Sequence, residues 1–292
     1  MSPPFELEPL NATFGAVVTG IDLTDLSPDS WRALHTAWLE YALLIFPGQE
    51  LTDAQQIAFA RRFGDIELIG GREIVALSNV RSDGTLIDGS HDSVKILRGN
   101  MGWHADSTYM PVQARGAVFS ARVVPPDGGG TAWADMRAAY EALPDETRSR
   151  VSQLSAHHSL YYSQSKLGHV HSENTDYIGY GFHDQDPPLR PLVKTHPETG
   201  RRSLLIGRHA YGIPGLDPEE SEKLLEELVE FACRPPRVHE HRWTPGDVVV
   251  WDNRCLLHRA RPWDMTRPRV MMHTRIAGDP QSEFAPTGQA GS

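Results

Sequence analysis

Gly246-Asp247-Val248-Val249-Val250-Trp251-Asp252-Asn253 reads as an apolar strand closed by a turn, and Arg254-Cys255-Leu256-Leu257-His258 reads as its return arm. A strand, a turn and a return strand ending on a histidine are what a small barrel needs to carry that side chain to its mouth. The candidate partners lie far upstream, at His104-x-Asp106. In an extended chain residues i and i+2 point the same way, so His104 and Asp106 can grasp one ion from one strand. Trp103 before the pair, and Ser107, Thr108 and Tyr109 after it, give a β-prone setting. Two imidazoles and one carboxylate fill one face of an octahedral metal and leave the other open, the arrangement with which non-haem Fe(II) binds O2 beside a second reactant. A bare His-x-Asp is a common tripeptide, and it is the strand context and the distant His258 that give this one weight. His157-His158, His169-x-His171 and His239-x-His241 have no carboxylate so placed, Glu240 falling on the opposite strand face, and they read as core or surface imidazoles.

With 292 residues, 39% of them hydrophobic, the chain can bury a large core. A formal charge of −10 argues against nucleic acid as a partner, which would require a basic face. No apolar run approaches the ~20 residues of a membrane span. The start, Met1-Ser2-Pro3-Pro4-Phe5-Glu6, lacks a basic then apolar export pattern, so a soluble cytoplasmic protein without membrane contact is expected. Cys233 and Cys255 make neither a disulfide framework nor a zinc motif and read as buried thiols. Arg254, Arg259, Arg261, Arg267, Arg269 and Arg275 crowd around His258 in an otherwise acidic chain, which suggests a small anionic substrate or cosubstrate drawn to that mouth.

Elsewhere the pattern is of short strands with a few helices. Ser27 caps and Pro28 opens a helix with Trp31, Leu34 and Trp38 on one stripe. Leu43-Leu44-Ile45-Phe46 is a buried strand, and Thr52-x-x-Gln55 is a capping box for a second helix through about Phe63. Two later helices are expected, over about Asp135 to Leu154 with a break near Pro144, and from Asp217 to about Cys233. Strands are expected over Ala117 to Val124, Leu189 to Lys194, Ser203 to Ile206, Val248 to Trp251 and Arg269 to Ile276. The fold class is mainly β with peripheral helices, a double-stranded β-helix of jelly-roll type. We read residues 1–280 as one domain, with a loop-rich lid carrying short strands over about 64–100, and 281–292 as a flexible tail.

Trp103-His104-x-Asp106, the Gly128-Gly129-Gly130-Thr131 turn, Trp251-Asp252-Asn253-Arg254 with His258, and Arg269 ahead of Ile276-Ala277-Gly278-Asp279 resemble the taurine/2,4-dichlorophenoxyacetate dioxygenase family over residues about 8 to 280. Within it, Ala42 to Gln49, Gly99 to Met110, Tyr162 to His169 and Ser203 to His209 are most similar to the (S)-selective aryloxyalkanoate dioxygenases. The resemblance implies Fe(II) on His104, Asp106 and His258, with 2-oxoglutarate as cosubstrate and O2 as oxidant. It also implies that Arg269, eleven residues past His258, grips the far carboxylate of 2-oxoglutarate, with the Thr131 hydroxyl adding a hydrogen bond. An aspartate at 106 implies hydroxylation rather than halogenation.

The implied substrate is an aryloxyalkanoic acid hydroxylated next to its ether oxygen; the product collapses to a phenol and pyruvate, or glyoxylate from an aryloxyacetate. A sulfonate, or another carboxylate-bearing metabolite, on the same machinery is the nearest alternative, and a non-enzymatic jelly-roll binder a more distant one. The second arginine of taurine-type members is replaced here by His273, with Arg275 two residues on along the same strand face. Arg275, Arg208 and Lys95 are therefore the candidate cations for the substrate carboxylate, with His209 and Asn100 as further contacts and Phe63, Met101, Tyr109 or Met110 as candidates for an aryl pocket. Homo-oligomers are implied by the family alone.

Overall fold

The protein is described here by a computed structural model covering residues 4–88, 91–168 and 186–286, without the side chains at 92, 93 and 95. In chain order the strands are β1 (Glu6–Pro9), β2 (Ala16–Thr19), β3 (Leu43–Phe46), β4 (Ile66–Glu67), β5 (Val75–Ser78), β6 (Gly116–Val123), β7 (Thr131–Asp135) and β8 (Ser155–His158). They continue with β9 (Leu189–Pro191), β10 (Val193–Thr195), β11 (Arg202–Leu204), β12 (Ala210–Tyr211), β13 (Val238–His241), β14 (Val248–Asp252), β15 (Leu256–Ala260) and β16 (Val270–Ile276). The helices are α1 (Pro28–Tyr41), α2 (Asp53–Ala60), α3 (Asp92–Gly99), α4 (Met136–Glu141), α5 (Asp145–Val151), α6 (Leu160–Ser165), α7 (Pro218–Ala232) and α8 (Pro280–Glu283).

The Val248–Asp252 run is an inner strand of the larger sheet, whose order is β1-β2-β3-β14-β6-β16-β4, with β5 also on β16. Its side chains alternate between two apolar layers. Val248 and Val250 pack with Leu34, Trp38 and Phe59 beneath α1 and α2, whereas Val249 and Trp251 pack with Phe119, Trp133, Trp243 and Met271 between the sheets. Both faces of the strand are covered, so the apolar run is unbroken, and each buried valine contributes about 1.5–3 kcal/mol of transfer free energy. The smaller sheet, β13-β7-β15, turns Ala132, Ala134 and Leu257 outward against α4 and the Leu224, Leu225, Leu228 stripe of α7. Two facing sheets, each backed by helices, make the double-stranded β-helix that the strand pattern implied.

Local signals act as expected at the helix starts. The Ser27 side chain accepts from the Ser30 amide, and Thr52 with Gln55 forms a reciprocal capping box. Pro144 separates α4 from α5. Two expectations change, at 189–194 and in the tail. Leu189 to Lys194 divides into two strands because β9 pairs with β8 while β10 pairs with β11. Within 64–100, the short strands are β4 and β5, and both pair with β16 and extend the larger sheet. The tail does not begin at 281: Glu283 and Ala285 are buried, the Ala285 amide donates to Pro111 O, and only 287–292 fall outside the described residues.

Candidate metal centre

The β14–β15 turn assembles the site. On one side of β15 lies β7; on the other, His104 and His258 exchange both backbone hydrogen bonds, at 3.0 and 2.8 Å. This lays the His-x-Asp segment beside β15 and brings the two imidazole centroids to 4.2 Å. Asn253, inside the turn, clamps the next ligand. Its Oδ1 accepts from the Asp106 amide at 2.7 Å, and its Nδ2 donates to Asp106 O and Ala114 O, both at 2.9 Å. Asp252 stiffens the same turn by accepting from Arg254 at 2.8 and 2.6 Å and from His196 at 2.9 Å. Ligand atoms of His104, Asp106 and His258 consequently lie within 4.8 Å of one another.

Their protonation suits a divalent metal. The His104 Nδ1 is 2.8 Å from Gly102 O, which places the ring proton there and leaves the Nε2 lone pair for an ion. Burial pushes the His104 pKa down to about 4 and that of His258 well below its ordinary value. At Asp106 burial acts upward, but the Arg275 guanidinium, with His258 and His273, outweighs it and holds the carboxyl well below the usual range. Two neutral imidazoles and one carboxylate result. Asp106 Oδ2 is buried and has no hydrogen-bond partner among the described residues, an orphaned acceptor that a metal ion would satisfy. His196, Asp252 and Cys255 also cluster within 4.8 Å but do not fit a metal. Asp252 is taken by Arg254, and His196 Nδ1 already accepts from the Glu198 and Thr199 amides at 3.2 and 3.1 Å.

Beside the three ligands is a cavity of about 360 Å3, lined also by Thr131, Arg269, Arg275, Arg208, His209 and Asn100. Arg269 is a buried cation on the cavity lining. Its Nε donates to Gly129 O at 2.8 Å and its guanidinium lies 5.0 Å over the Trp263 ring, yet its buried Nη2 has no partner among the described residues. Burial pushes its pKa down to about 10, so it remains cationic at neutral pH. Gly129, at φ +65°, is required there: a Cβ would lie 2.8 Å from Pro125 Cγ and 3.2 Å from Arg269 Cδ. The Thr131 hydroxyl accepts from Trp243 Nε1 at 2.9 Å, which leaves its own proton to donate.

Other expected residues are distributed unevenly. Gly207, at φ +122°, approaches so closely that a Cβ would meet Trp103 O at 2.9 Å, and this turn sets Arg208 and His209 on the cavity wall. Arg208 Nη2 reaches Ser163 O at 3.3 Å; the His209 Nδ1 shares a 2.8 Å hydrogen bond with the Ser163 hydroxyl. Arg275, expected as a substrate cation, instead directs Nη2 to Asp106 Oδ1 at 3.0 Å and Nη1 to Ser107 Oγ at 3.1 Å. The Lys95 side chain, His169 and His171 lie outside the described residues. Of the aryl-pocket candidates Tyr109 lines the cavity; Phe63 is buried against Trp31 and Trp38 at 4.9 and 5.0 Å, and neither Met101 nor Met110 is on the lining. The arginine cluster also disperses. Arg254 pairs with Asp252, Arg259 stacks on Trp103 and Arg261 pairs with Glu240, so only Arg269 and Arg275 of the six face the cavity.

Val75, Leu77 and Val80, with Ile87, Ile96 and Leu97, bring the 64–100 segment to the cavity, and sequence reasoning, which read this loop-rich segment as a lid, named none of these apolar residues. It also gave no role to Asn253, Trp263 or His273. Asn253 had a signal, since it stands in the turn quoted with the family resemblance; the contacts of Trp263 and His273 are purely tertiary.

The chain is similar to known proteins over nearly its whole length. The chain is 64% identical over 98% of its length to the (S)-phenoxypropionate/alpha-ketoglutarate-dioxygenase of Sphingobium herbicidovorans, 99% of which is covered. It is 62% identical, with the same coverage of both chains, to the protein of that name from Delftia acidovorans. A crystal structure of AAD-2 in complex with Mn(II) and N-oxalylglycine superposes with a TM-score of 0.87 at 38% identity, covering 99% of this chain and 100% of that one. The sequence model of the taurine catabolism dioxygenase TauD, TfdA family matches residues 6–275, and the chain belongs to that family.

Proposed function

We propose that this dioxygenase hydroxylates (S)-2-aryloxypropionates at the carbon next to the ether oxygen, using Fe(II), 2-oxoglutarate and O2. The products are a phenol and pyruvate, with succinate and CO2; aryloxyacetates give glyoxylate instead. The observation that carries the substrate class is the 64% identity to an (S)-phenoxypropionate enzyme over 98% of this chain.

In this reading His104, Asp106 and His258 hold the iron, which supplies the activation of O2 coupled to oxidation of the keto acid. Arg269 binds the far carboxylate of 2-oxoglutarate through the nitrogen that lacks a partner, and the Thr131 proton adds a second contact. These two fix the cosubstrate at one end of the cavity and turn its keto-acid end toward the ligands. Arg208 and His209, on the wall beyond His104, take the substrate carboxylate, with Asn100 nearby. Leu77, Ile87, Ile96 and Leu97 offer the aryl ring an apolar surface and exclude water around it. A hydroxyl added at the ether carbon makes a hemiketal, whose collapse breaks the C–O bond and passes the proton to the departing phenol. Dependence on a diffusible central metabolite supports a cytoplasmic location, and a homo-oligomer is carried from the family resemblance.

A panel of (S)- and (R)-2-phenoxypropionate, phenoxyacetate and an alkylsulfonate, assayed for phenol and succinate, tests the assignment. We expect the (S)-enantiomer to have the highest kcat/KM. Preference for the sulfonate, with no phenol from any aryloxy acid, would overturn the substrate class and leave the dioxygenase.

A further inference from the structure

The fork of Arg275 lies between two consecutive residues of the His-x-Asp segment. Nη2 donates to Asp106 Oδ1 at 3.0 Å and Nη1 to Ser107 Oγ at 3.1 Å. Ser107 is fully buried and has φ +57°, a left-handed conformation that serine seldom adopts. Its hydroxyl lies 2.8 and 3.0 Å from the two Glu67 carboxylate oxygens. A hydroxyl has one proton, so Ser107 donates it to Glu67 and accepts from Arg275. Glu67 stands opposite Arg275 in the β4–β16 register. Asp106, Arg275, Ser107 and Glu67 thus form one chain of hydrogen bonds rooted in the larger sheet.

Two constraints on Asp106 are separate. Asn253 fixes its backbone, but the final torsion of an aspartate is broad, so backbone clamping does not decide which oxygen faces the metal. Arg275 does decide it. With Oδ1 occupied, Oδ2 is left 3.8 Å from His258 Nε2 and 3.5 Å from His273 Nε2, without a hydrogen-bond partner among the described residues. An octahedral ion with two histidines must find sites for a chelating keto acid and for O2, which leaves one position for the aspartate. An aspartate bound through both oxygens would occupy the O2 position.

We propose that Arg275 is a positioning residue that holds Asp106 to coordination through Oδ2 alone, braced by Ser107 and Glu67. The proposal rests on the metal assignment above and replaces the reading of Arg275 as the substrate cation. Its Nη1 and Nη2 each donate within the His-x-Asp segment, to Ser107 and to Asp106, which sets the plane of the fork against the aspartate. It also accounts for His273 at the position where taurine-type relatives carry arginine. A second arginine there would face Arg275 across one carboxylate, whereas the imidazole stacks on Trp251 at 5.9 Å, its plane 6° from that of the indole.

The test is Mn(II) binding to the apo protein, and the absorption spectrum of the Co(II) form, for Arg275→Met, Arg275→Lys, Ser107→Ala and, as control, His258→Ala. Positioning predicts that Arg275→Met weakens Mn(II) binding about 10- to 100-fold and changes the Co(II) spectrum. Arg275→Lys should recover only part of the affinity, because it restores the charge but not the fork. If Arg275 were merely a neighbouring charge, removing a cation would tighten Mn(II) binding. Unchanged or tighter binding with an unchanged Co(II) spectrum overturns the proposal, as does a rise confined to KM for the aryloxy acid. Ser107→Ala breaks the brace without leaving a buried charge unpaired; it should weaken Mn(II) in the same direction, and full affinity there overturns the proposal should Arg275→Met fail to fold. Full Mn(II) affinity in His258→Ala would instead sink the metal assignment itself.

Discussion

His104 and His258 donate backbone hydrogen bonds to each other's carbonyls, at 3.0 and 2.8 Å, although they are 154 positions apart in the chain. The distance between two metal ligands is therefore set by an isolated β-bridge between β15 and the His-x-Asp segment, which from Asp106 onward is turn rather than strand. A site tied to a strand by a β-bridge and by the Asn253 clamp holds its geometry without the ion, provided its charges stay matched.

That proviso separates two ligand substitutions. His258→Ala should abolish metal binding with modest loss of stability, because the ring leaves a buried gap but no charge. Asp106→Ala should also abolish it, and in addition strands the buried Arg275 guanidinium, at a cost of about 3–5 kcal/mol. Thermal denaturation of the two apo variants checks this; equal midpoints would contradict the pairing.

Arg269→Ala should raise KM for 2-oxoglutarate by about 100-fold, equivalent to roughly 3 kcal/mol for a buried charged contact, with little effect on KM for the aryloxy acid. Arg269→Lys should rescue it poorly, since lysine loses the Nε anchor on Gly129 O. A defect confined to the aryloxy acid would mean that the two carboxylate sites have been exchanged.

Arg208→Ala should do the reverse, raising KM for the aryloxy acid by about 10-fold or more and leaving that for 2-oxoglutarate near its starting value. Steady-state kinetics with each substrate varied in turn would show it, and an unchanged KM for the aryloxy acid would remove Arg208 from the carboxylate site.

The contrast between Arg269 and Arg275 shows how far the sequence could be read. Arg275 lies on β16 and Arg269 immediately before it, and the family resemblance singled out Arg269. The contact of Arg275 with Asp106 was not legible, because the two are 169 positions apart and meet only in the folded chain. Val248 to Trp251 was legible as a strand since burial on both faces makes the run apolar throughout. Within 64–100 the bounds and pairing of the short strands were not, because β4 and β5 gain their pairing from β16 rather than from their own pattern. The tail to Ala285 was missed for a similar reason: its order comes from contacts with Pro111 and Gln113.

Stability should fall with acid well before the carboxylates titrate. Burial lowers the pKa of His104 to about 4 and those of His158, His209 and His258 well below the ordinary 6.5. Below pH 6.5 the unfolded chain takes up protons that the folded one refuses, so this stability is complete above that value. It declines as pH falls toward the folded pKa, near 4 for His104 and lower for the others. We expect the apo Tm to drop continuously from about pH 6.5 to about pH 4.5. A flat Tm over that range would mean that these imidazoles are not buried as neutral rings.

The measurement nearest the central claim is the visible absorption of the Fe(II) protein on anaerobic addition of 2-oxoglutarate, followed by O2 and (S)-2-phenoxypropionate. A weak charge-transfer band that decays on oxygenation, with succinate and phenol released in equal amounts, is the predicted result. Iron bound with no band and no succinate would contradict it.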